Sequence, residues 1–296
     1  MKPILLSFSW DGDAPLRLSK ELKVEHCALS LHRFPDGEIL VTGPERVGRT
    51  AILYCSLFQP NEKLVALMFA ADTLRRAGAA RIVLVAPYLS YMRQDTAFEP
   101  GQAVSQQAMG KYIAGLFDRV LTVDAHLHRT PDIAKVFPRA EAENLVAAEA
   151  IADYAMRNGL GADTLVVGPD RESRQWVERV ARQLGGTAIV GDKTRYSDRK
   201  VDIVFPDEEV SGRRVLLVDD IVSSGGTILK AVQELKNMGV AHITLAVTHA
   251  LFPEDIGRAL RSAGIDRIWA TDSVLHEASC IELASTLAKS LASEFE

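Results

Sequence analysis

Cysteine is scarce in this chain of 296 residues: three, at positions 27, 55 and 280, far apart and with no CxxC pair. An odd, scattered set excludes a disulfide framework and offers no paired thiolates to zinc. Cys27, Cys55 and Cys280 therefore read as free thiols of a reducing compartment, the cytoplasm. Long apolar runs are also missing. No uncharged stretch approaches the roughly 18 residues a membrane helix needs. The N-terminal MKPILLSFSWDGD is apolar for only a few residues before Asp11, too short for a signal peptide and suited to a first strand. There is no basic excess either; a net charge of -5 argues against a nucleic-acid partner. Low-complexity tracts and short-period repeats are absent. What remains is ample for a core: 47% hydrophobic and 25% charged residues exclude disorder, and the length suits two domains.

Short β-branched apolar runs alternate with amphipathic stretches. Residues 50–56, 81–88, 119–126, 163–170, 186–193, 214–220, 242–252 and 266–272 predict strands. Helical patterns cover 62–79, 105–117, 172–184, 227–238 and a stretch near 254–263, with a final helix from 281. Continuous rather than alternating apolar runs suit strands covered on both faces. Strand–helix alternation implies parallel sheets with right-handed crossovers. The expected class is α/β, as two similar domains joined around residues 141–148. In open parallel sheets ligands bind beyond the carboxyl ends of the strands. Four such ends are polar here, PYLSYMRQD, VDAHLHR, VGPDRES and VDDIVSSGGT, which points to a shared cleft.

In VLLVDDIVSSGGT, residues 215–227, an apolar strand runs into Asp219 and Asp220 and then into Ser223, Ser224, Gly225, Gly226 and Thr227 at a helix start. First-turn N–H groups lack intrahelical partners and carry the positive end of the helix dipole. Glycine removes the Cβ that would keep a phosphate away, and hydroxyls add donors. The stretch is not a Walker loop, because GxxxxGK[ST] is absent. A tight turn with serine caps is the plainer reading, but it leaves the paired acids unexplained. A sugar phosphate satisfies both features, with phosphate on the loop and ribose hydroxyls on the carboxylates.

That stretch resembles the signature shared by type I phosphoribosyltransferases and the synthetases of phosphoribosyl diphosphate (PRPP). Further motifs in order separate the two: RFPDGEI at 33–39, RQD at 93–95, Asp124-x-His126, and Lys193-x-Arg195 in GDKTR. Over nearly its full length the chain is similar to the ribose-phosphate pyrophosphokinase family, as a divergent member. The resemblance implies two tandem phosphoribosyltransferase-like domains, each a mainly parallel sheet flanked by helices. Residues 1–144 would form the nucleotide side with the oligomer contacts. Residues 145–296 would carry the ribose-phosphate loop, with the last helix packing back on the first domain. The implied reaction moves the diphosphate of ATP to C1 of ribose 5-phosphate, giving PRPP and AMP, with Mg²⁺.

Residue roles follow from the same resemblance. Lys193 and Arg195 would be the catalytic cations, although Arg199 and Lys200 nearby leave room for a solvated basic turn. Phe34 would stack on adenine, with Asp36 and Glu38 facing the nucleotide. In the family these come from a neighbouring subunit, implying a homo-oligomer, dimer or hexamer, with a shared nucleotide site; a core aromatic is the alternative for Phe34. Arg93, Gln94 and Asp95 would bind ATP or form a structural ion pair. His126 would meet ATP phosphates or magnesium, an unusual ligand for an oxygen-loving ion, and Asp170 would be a second metal acid. Asp124, His126 and His128 could suggest zinc, but no further Cys or His lies at suitable spacing, which favours strand-end hydrogen bonding. Asp219 and Asp220 would hold the ribose hydroxyls, and residues 223–227 the 5-phosphate. The chain departs from the family pattern at Arg171, Glu172 and Ser173, at Ser223 and at Thr96, while Glu143 matches only loosely. Two rivals stand beside this reading: a PRPP-consuming phosphoribosyltransferase, to which RQD and RFPDGE would be useless, and a non-catalytic regulatory subunit, which should have lost these groups.

Overall fold

Apolar runs without alternation become the inner strands of two parallel sheets. The computed structural model describes residues 3–127, 130, 132–197, 200–206 and 210–295. They form two units, Met1–Leu145 with Ser273–Leu275 and Leu283–Glu296, and Val146–Asp272 with His276–Glu282. The first runs β1 (Ile4–Ser7), α1 (Ala14–Leu22), β2 (His26–Ala28), β3 (Ser30–Arg33), β4 (Ile39–Thr42), β5 (Thr50–Tyr54), α2 (Pro60–Arg76), β6 (Arg81–Val85), α3 (Ser105–Ala114), β7 (Arg119–Val123) and β8 (Glu141–Leu145). The second runs α4 (Ala148–Arg157), β9 (Leu165–Gly168), α5 (Arg174–Leu184), β10 (Thr187–Val190), β11 (Asp192–Ser197), β12 (Lys200–Val204), β13 (Arg214–Val222), α6 (Gly226–Asn237), β14 (His242–Ala250), α7 (Glu254–Ser262), β15 (Arg267–Thr271) and β16 (Ser279–Ile281). The last helix, α8 (Ala284–Leu291), belongs to the first unit and packs on α1.

Each unit holds one six-stranded sheet. The orders are β2-β1-β5-β6-β7-β8 and β10-β9-β13-β14-β15-β16. Every pairing in both is parallel. Counted within its own unit, each sheet has the same order, second strand, first, third, then fourth to sixth. The order reverses between β1 and β5 and between β9 and β13, which places a ligand crevice beyond each of those strand pairs. Each unit also inserts one antiparallel hairpin between its second and third sheet strands: β3–β4 and β11–β12. Helices cover the sheets, so Ile52, Leu53, Leu84 and Val120 in one unit and Leu165, Val167, Leu217 and Leu245 in the other are fully buried.

Several expected boundaries move. The strand predicted over 81–88 ends at Val85, so Arg93, Gln94 and Asp95 lie in a turn well beyond it. The stretch 186–193 is not one strand: it stops at Val190, and Lys193 belongs to the hairpin strand β11. The final helix starts at Ala284 rather than 281, because Ile281 pairs with Thr271 at the sheet edge.

Candidate active site

The second unit builds its site where β13 outruns its neighbour. Pairing with β9 ends at Leu217–Val167, while pairing with β14 continues to Val222–Ala250. Asp219 and Asp220 thus stand inside the strand, beside an edge that β9 has left. Asp219 Oδ1 accepts from the Asp220 amide at 3.1 Å, and Asp220 Oδ1 from the Ile221 amide at 2.8 Å. Asp220 is buried and Asp219 half-buried. The Asp219 carboxyl is held well above the usual carboxylate range, first by burial, then by the negative charges of Asp220 and Asp170. The sheet therefore brings Asp170, from the turn after β9, into the field of the two strand acids.

Residues 223–225 turn the chain into α6. Gly225 caps the helix with φ of 71°, and a Cβ there would lie 3.0 Å from Ile256 Cγ2, so glycine is required on both counts. At Gly226 a Cβ would meet nothing nearer than Ser224 Oγ at 3.9 Å, and the residue is exposed. No side chain caps the α6 N-terminus. Ser224 is exposed and Ser223 and Thr227 are half-buried. The reading of serine caps is thus not realised, and an open helix start bearing hydroxyls follows directly on paired acids.

Asp170 begins a short turn over Arg171–Ser173, accepting from the Glu172 amide at 3.1 Å, and Ser173 Oγ donates to the Asp170 carbonyl at 2.6 Å. Arg171 reaches across to Asp192, the first residue of β11. Lys193 and Arg195 follow on that strand, opposite Ile203 and Val201 of β12, with a bulge after Arg195. For both, the description extends to the backbone. Arg199 lies outside the described residues, as does His128.

In the first unit the RFPDGEI motif forms the β3–β4 turn. The Phe34 amide donates to Glu38 O at 2.8 Å, Gly37 N to Phe34 O at 3.0 Å and Glu38 N to Asp36 Oδ1 at 3.1 Å. Phe34 is 40% exposed and meets His32 edge-to-face, so it is not a core aromatic. Arg33 pairs with Glu62 of α2, and the two border a cavity of about 650 Å³ with Gly37, Glu38, Ile39, Val65 and Phe69. The turn holding Arg93, Gln94 and Asp95 is tied to α3: Gln106 N donates to Gln94 O at 3.1 Å and the buried Gln106 side chain to Met92 O at 3.3 Å. Arg93 is exposed; Gln94 and Asp95 are half-buried. His126 lies half-buried three residues past β7. Asp124 is buried in a left-handed backbone conformation, φ 40°. Among the described residues no group of three His, Cys, Asp or Glu could hold a metal ion.

Chemically, the second unit offers an anion site at a helix start and, beside it, carboxylate acceptors for hydroxyls. Sequence reasoning missed Asp192. Its signal lay in the two Val-Gly strand ends, Val167-Gly168 and Val190-Gly191, whose following residues become neighbours once β9 and β10 pair.

Comparison with known proteins covers both units. Residues 7–116 match the model of the N-terminal domain of ribose phosphate pyrophosphokinase, and residues 140–266 that of the phosphoribosyl transferase domain. The ribose-phosphate pyrophosphokinase of Methanopyrus kandleri is 34% identical over 276 residues, covering 93% of this chain and 94% of that protein. The Pyrococcus abyssi protein of the same name is 33% identical over 262 residues, 88% of this chain and 89% of its own length. In fold, the chain is similar to the phosphoribosylpyrophosphate synthetase of Mycobacterium smegmatis, with a TM-score of 0.84 and 24% identity, covering 100% and 99% of the two chains.

Proposed function

The chain belongs to the ribose-phosphate pyrophosphokinase family, and from that footing we propose that it transfers the diphosphate of ATP to C1 of ribose 5-phosphate, yielding PRPP and AMP. The observation that carries the reading is the second unit's crevice: Asp219 and Asp220 on the strand edge, running into an uncapped helix start where Gly226 faces open space. First-turn amides with Ser223, Ser224 and Thr227 bind the 5-phosphate, and Gly225 and Gly226 let it approach. Asp219 and Asp220 accept from the ribose hydroxyls and orient C1; they position the sugar and are not the general base. Lys193 and Arg195 offset the charge that builds on the transferring diphosphate, where alignment and neutralisation supply most of the catalysis.

On the nucleotide side Arg93, Gln94, Asp95 and His126 hold ATP, and Phe34, with Asp36 and Glu38, receives adenine across a subunit boundary. The exposure of Phe34 at a hairpin tip supports a homo-oligomer, dimer or hexamer, and the three free cysteines support a reducing compartment, the cytoplasm. Asp170 suits Mg²⁺ as an oxygen donor, and a cation there would offset the Asp170 and Asp220 charges that add to burial in raising the Asp219 carboxyl. Asp170 would hold the ion, with His126 the weaker donor. With only one or two carboxylates in reach, its coordination would be filled by substrate oxygens and water. When bound it would supply charge neutralisation on the phosphates. The described part of the chain contains no helix long and apolar enough to cross a membrane.

Incubation of the protein with ATP, magnesium and ribose 5-phosphate should release AMP and PRPP in equal amounts. Base-dependent release of diphosphate from added PRPP, without AMP, would assign it instead to the phosphoribosyltransferases. Neither product would leave a regulatory subunit.

A further inference from the structure

Two turns that the sequence separates by some twenty residues are joined at the edge of the second sheet. β10 pairs with β9 up to Val190–Gly168, and the Gly191 amide then donates to Gly168 O at 2.9 Å. A Cβ at Gly191 would stand 2.8 Å from Pro169 O and 2.7 Å from Ile203 Cγ2. The start of the β11–β12 hairpin is therefore pressed against the turn after β9 on one side and against its own return strand on the other. That turn is braced from within: Ser173 Oγ donates to Asp170 O, and Ser173 fits because residue 168 has no Cβ, which would lie 2.1 Å from its Oγ. One residue beyond each contact, Arg171 and Asp192 close the arrangement. Arg171 Nε donates to Asp192 Oδ1 at 2.5 Å and Nη2 to Oδ2 at 3.0 Å.

The pair is exposed, 76% at Arg171 and 54% at Asp192, so it adds little to stability. A two-point guanidinium–carboxylate fork does fix direction, which a lysine or a single bond would not. Its ends are informative: Arg171 follows Asp170, and Asp192 precedes Lys193.

We propose that the Arg171–Asp192 pair is a latch holding the base of the β11–β12 hairpin to the turn that carries Asp170, which makes Arg171 and Asp192 positioning residues for Lys193 and Arg195. The latch sets the spacing between the acid side of the site and its cation strand. The inference rests on the proposed roles of Lys193 and Arg195. It also explains one departure from the family pattern: the arginine after Asp170 is directed to the hairpin.

The test uses Arg171→Gln, Asp192→Asn and the double variant of the whole chain. Amide hydrogen exchange over 192–197, measured without substrate, should quicken in both single variants, while the thermal midpoint stays at the wild-type value. In the diphosphokinase assay each single variant should lose about ten- to a hundredfold in kcat, the scale expected of a small misplacement of catalytic groups. KM for ribose 5-phosphate should not move. The double variant should be no worse than either single, as for two halves of one interaction. Wild-type exchange rates in the single variants would overturn the latch; altered exchange with unchanged kcat, or losses that add in the double, would overturn its positioning role. If the wild-type protein forms no AMP, the functional reading falls while the exchange measurement still decides the latch.

Discussion

Asp11 shows how one residue can work against the fold that contains it. It lies just past β1, in the first unit's own order-reversal crevice, with Phe8, Cys55 and Ser56 buried around it. Its Oδ1 accepts from the Ser56 amide at 2.9 Å, while its Oδ2 and the Trp10 Nε1 are buried with no hydrogen-bond partner. Burial pushes the carboxyl up to about 7, against the pull of the Ser56 bond and of Lys63. A carboxyl raised in the folded state contributes its full stability below the ordinary carboxylate range and costs stability as pH climbs to about 7. Asp11→Asn keeps an acceptor for Ser56 and removes the charge. The variant should match the wild type near pH 4 and exceed it above pH 7 by about 4 kcal/mol, read from urea unfolding of the first unit at the two pH values. Equal gains at both pH values would mean that Asp11 is not titrating. Nothing in SWDGD announces this behaviour; it comes from two strand ends brought together by the sheet.

At the scale of elements, what the sequence made legible was whatever a periodic pattern can carry. The buried strands 51–54, 82–85 and 215–218 were readable as continuous apolar runs, and Asp219, Asp220 and residues 223–227 as a strand-to-helix junction. The two hairpins were not readable. All four of their strands stand apart from the parallel sheets; the first of each pair, SLHR and DKTRYS, carries charge instead of an apolar run, and the return strands, ILVT and KVDIV, are only four and five residues long. β2 escaped for a similar reason, being three residues long and partly exposed at a sheet edge. The Arg171–Asp192 fork escaped because its partners meet only through strand adjacency. The junction before α6 gives a clean contrast between neighbours. Gly226→Val projects into open space and should weaken ribose 5-phosphate binding more than tenfold in calorimetry, a loss above about 1.4 kcal/mol, with the unfolding midpoint unchanged. Gly225→Ala should instead cost about 1–2 kcal/mol of stability, since its backbone is left-handed and Ile256 stands in the way. Unaltered affinity in Gly226→Val would place the phosphate elsewhere.

For the whole molecule the decisive feature is the return of the chain's end to its first unit. After α8, Glu294 reaches the start of the first sheet with its side chain only 4% exposed. It accepts from Arg119 Nη1 at 2.9 Å and from Arg81 at 2.7 and 3.0 Å, while Arg119 also donates to Ser290 Oγ and Glu143. Burial would raise the Glu294 carboxyl, but the hydrogen bonds from Arg81 and Arg119 outweigh it and hold the group below its ordinary value. Glu294→Ala leaves the largely buried Arg119 with Glu143 as its remaining carboxylate and should destabilise the first unit by about 2 kcal/mol in urea. Added salt should restore little of this, because buried pairs are weakly screened. A loss that salt abolishes would mean that the pair is solvated. The same arrangement sets an order on biosynthesis. Emerging from the ribosome, the opening hundred and forty-odd residues must wait for every later strand to be translated before their closing helix and its glutamate exist. Until then the nascent half-enzyme carries an arginine with one of its two carboxylate partners still unmade.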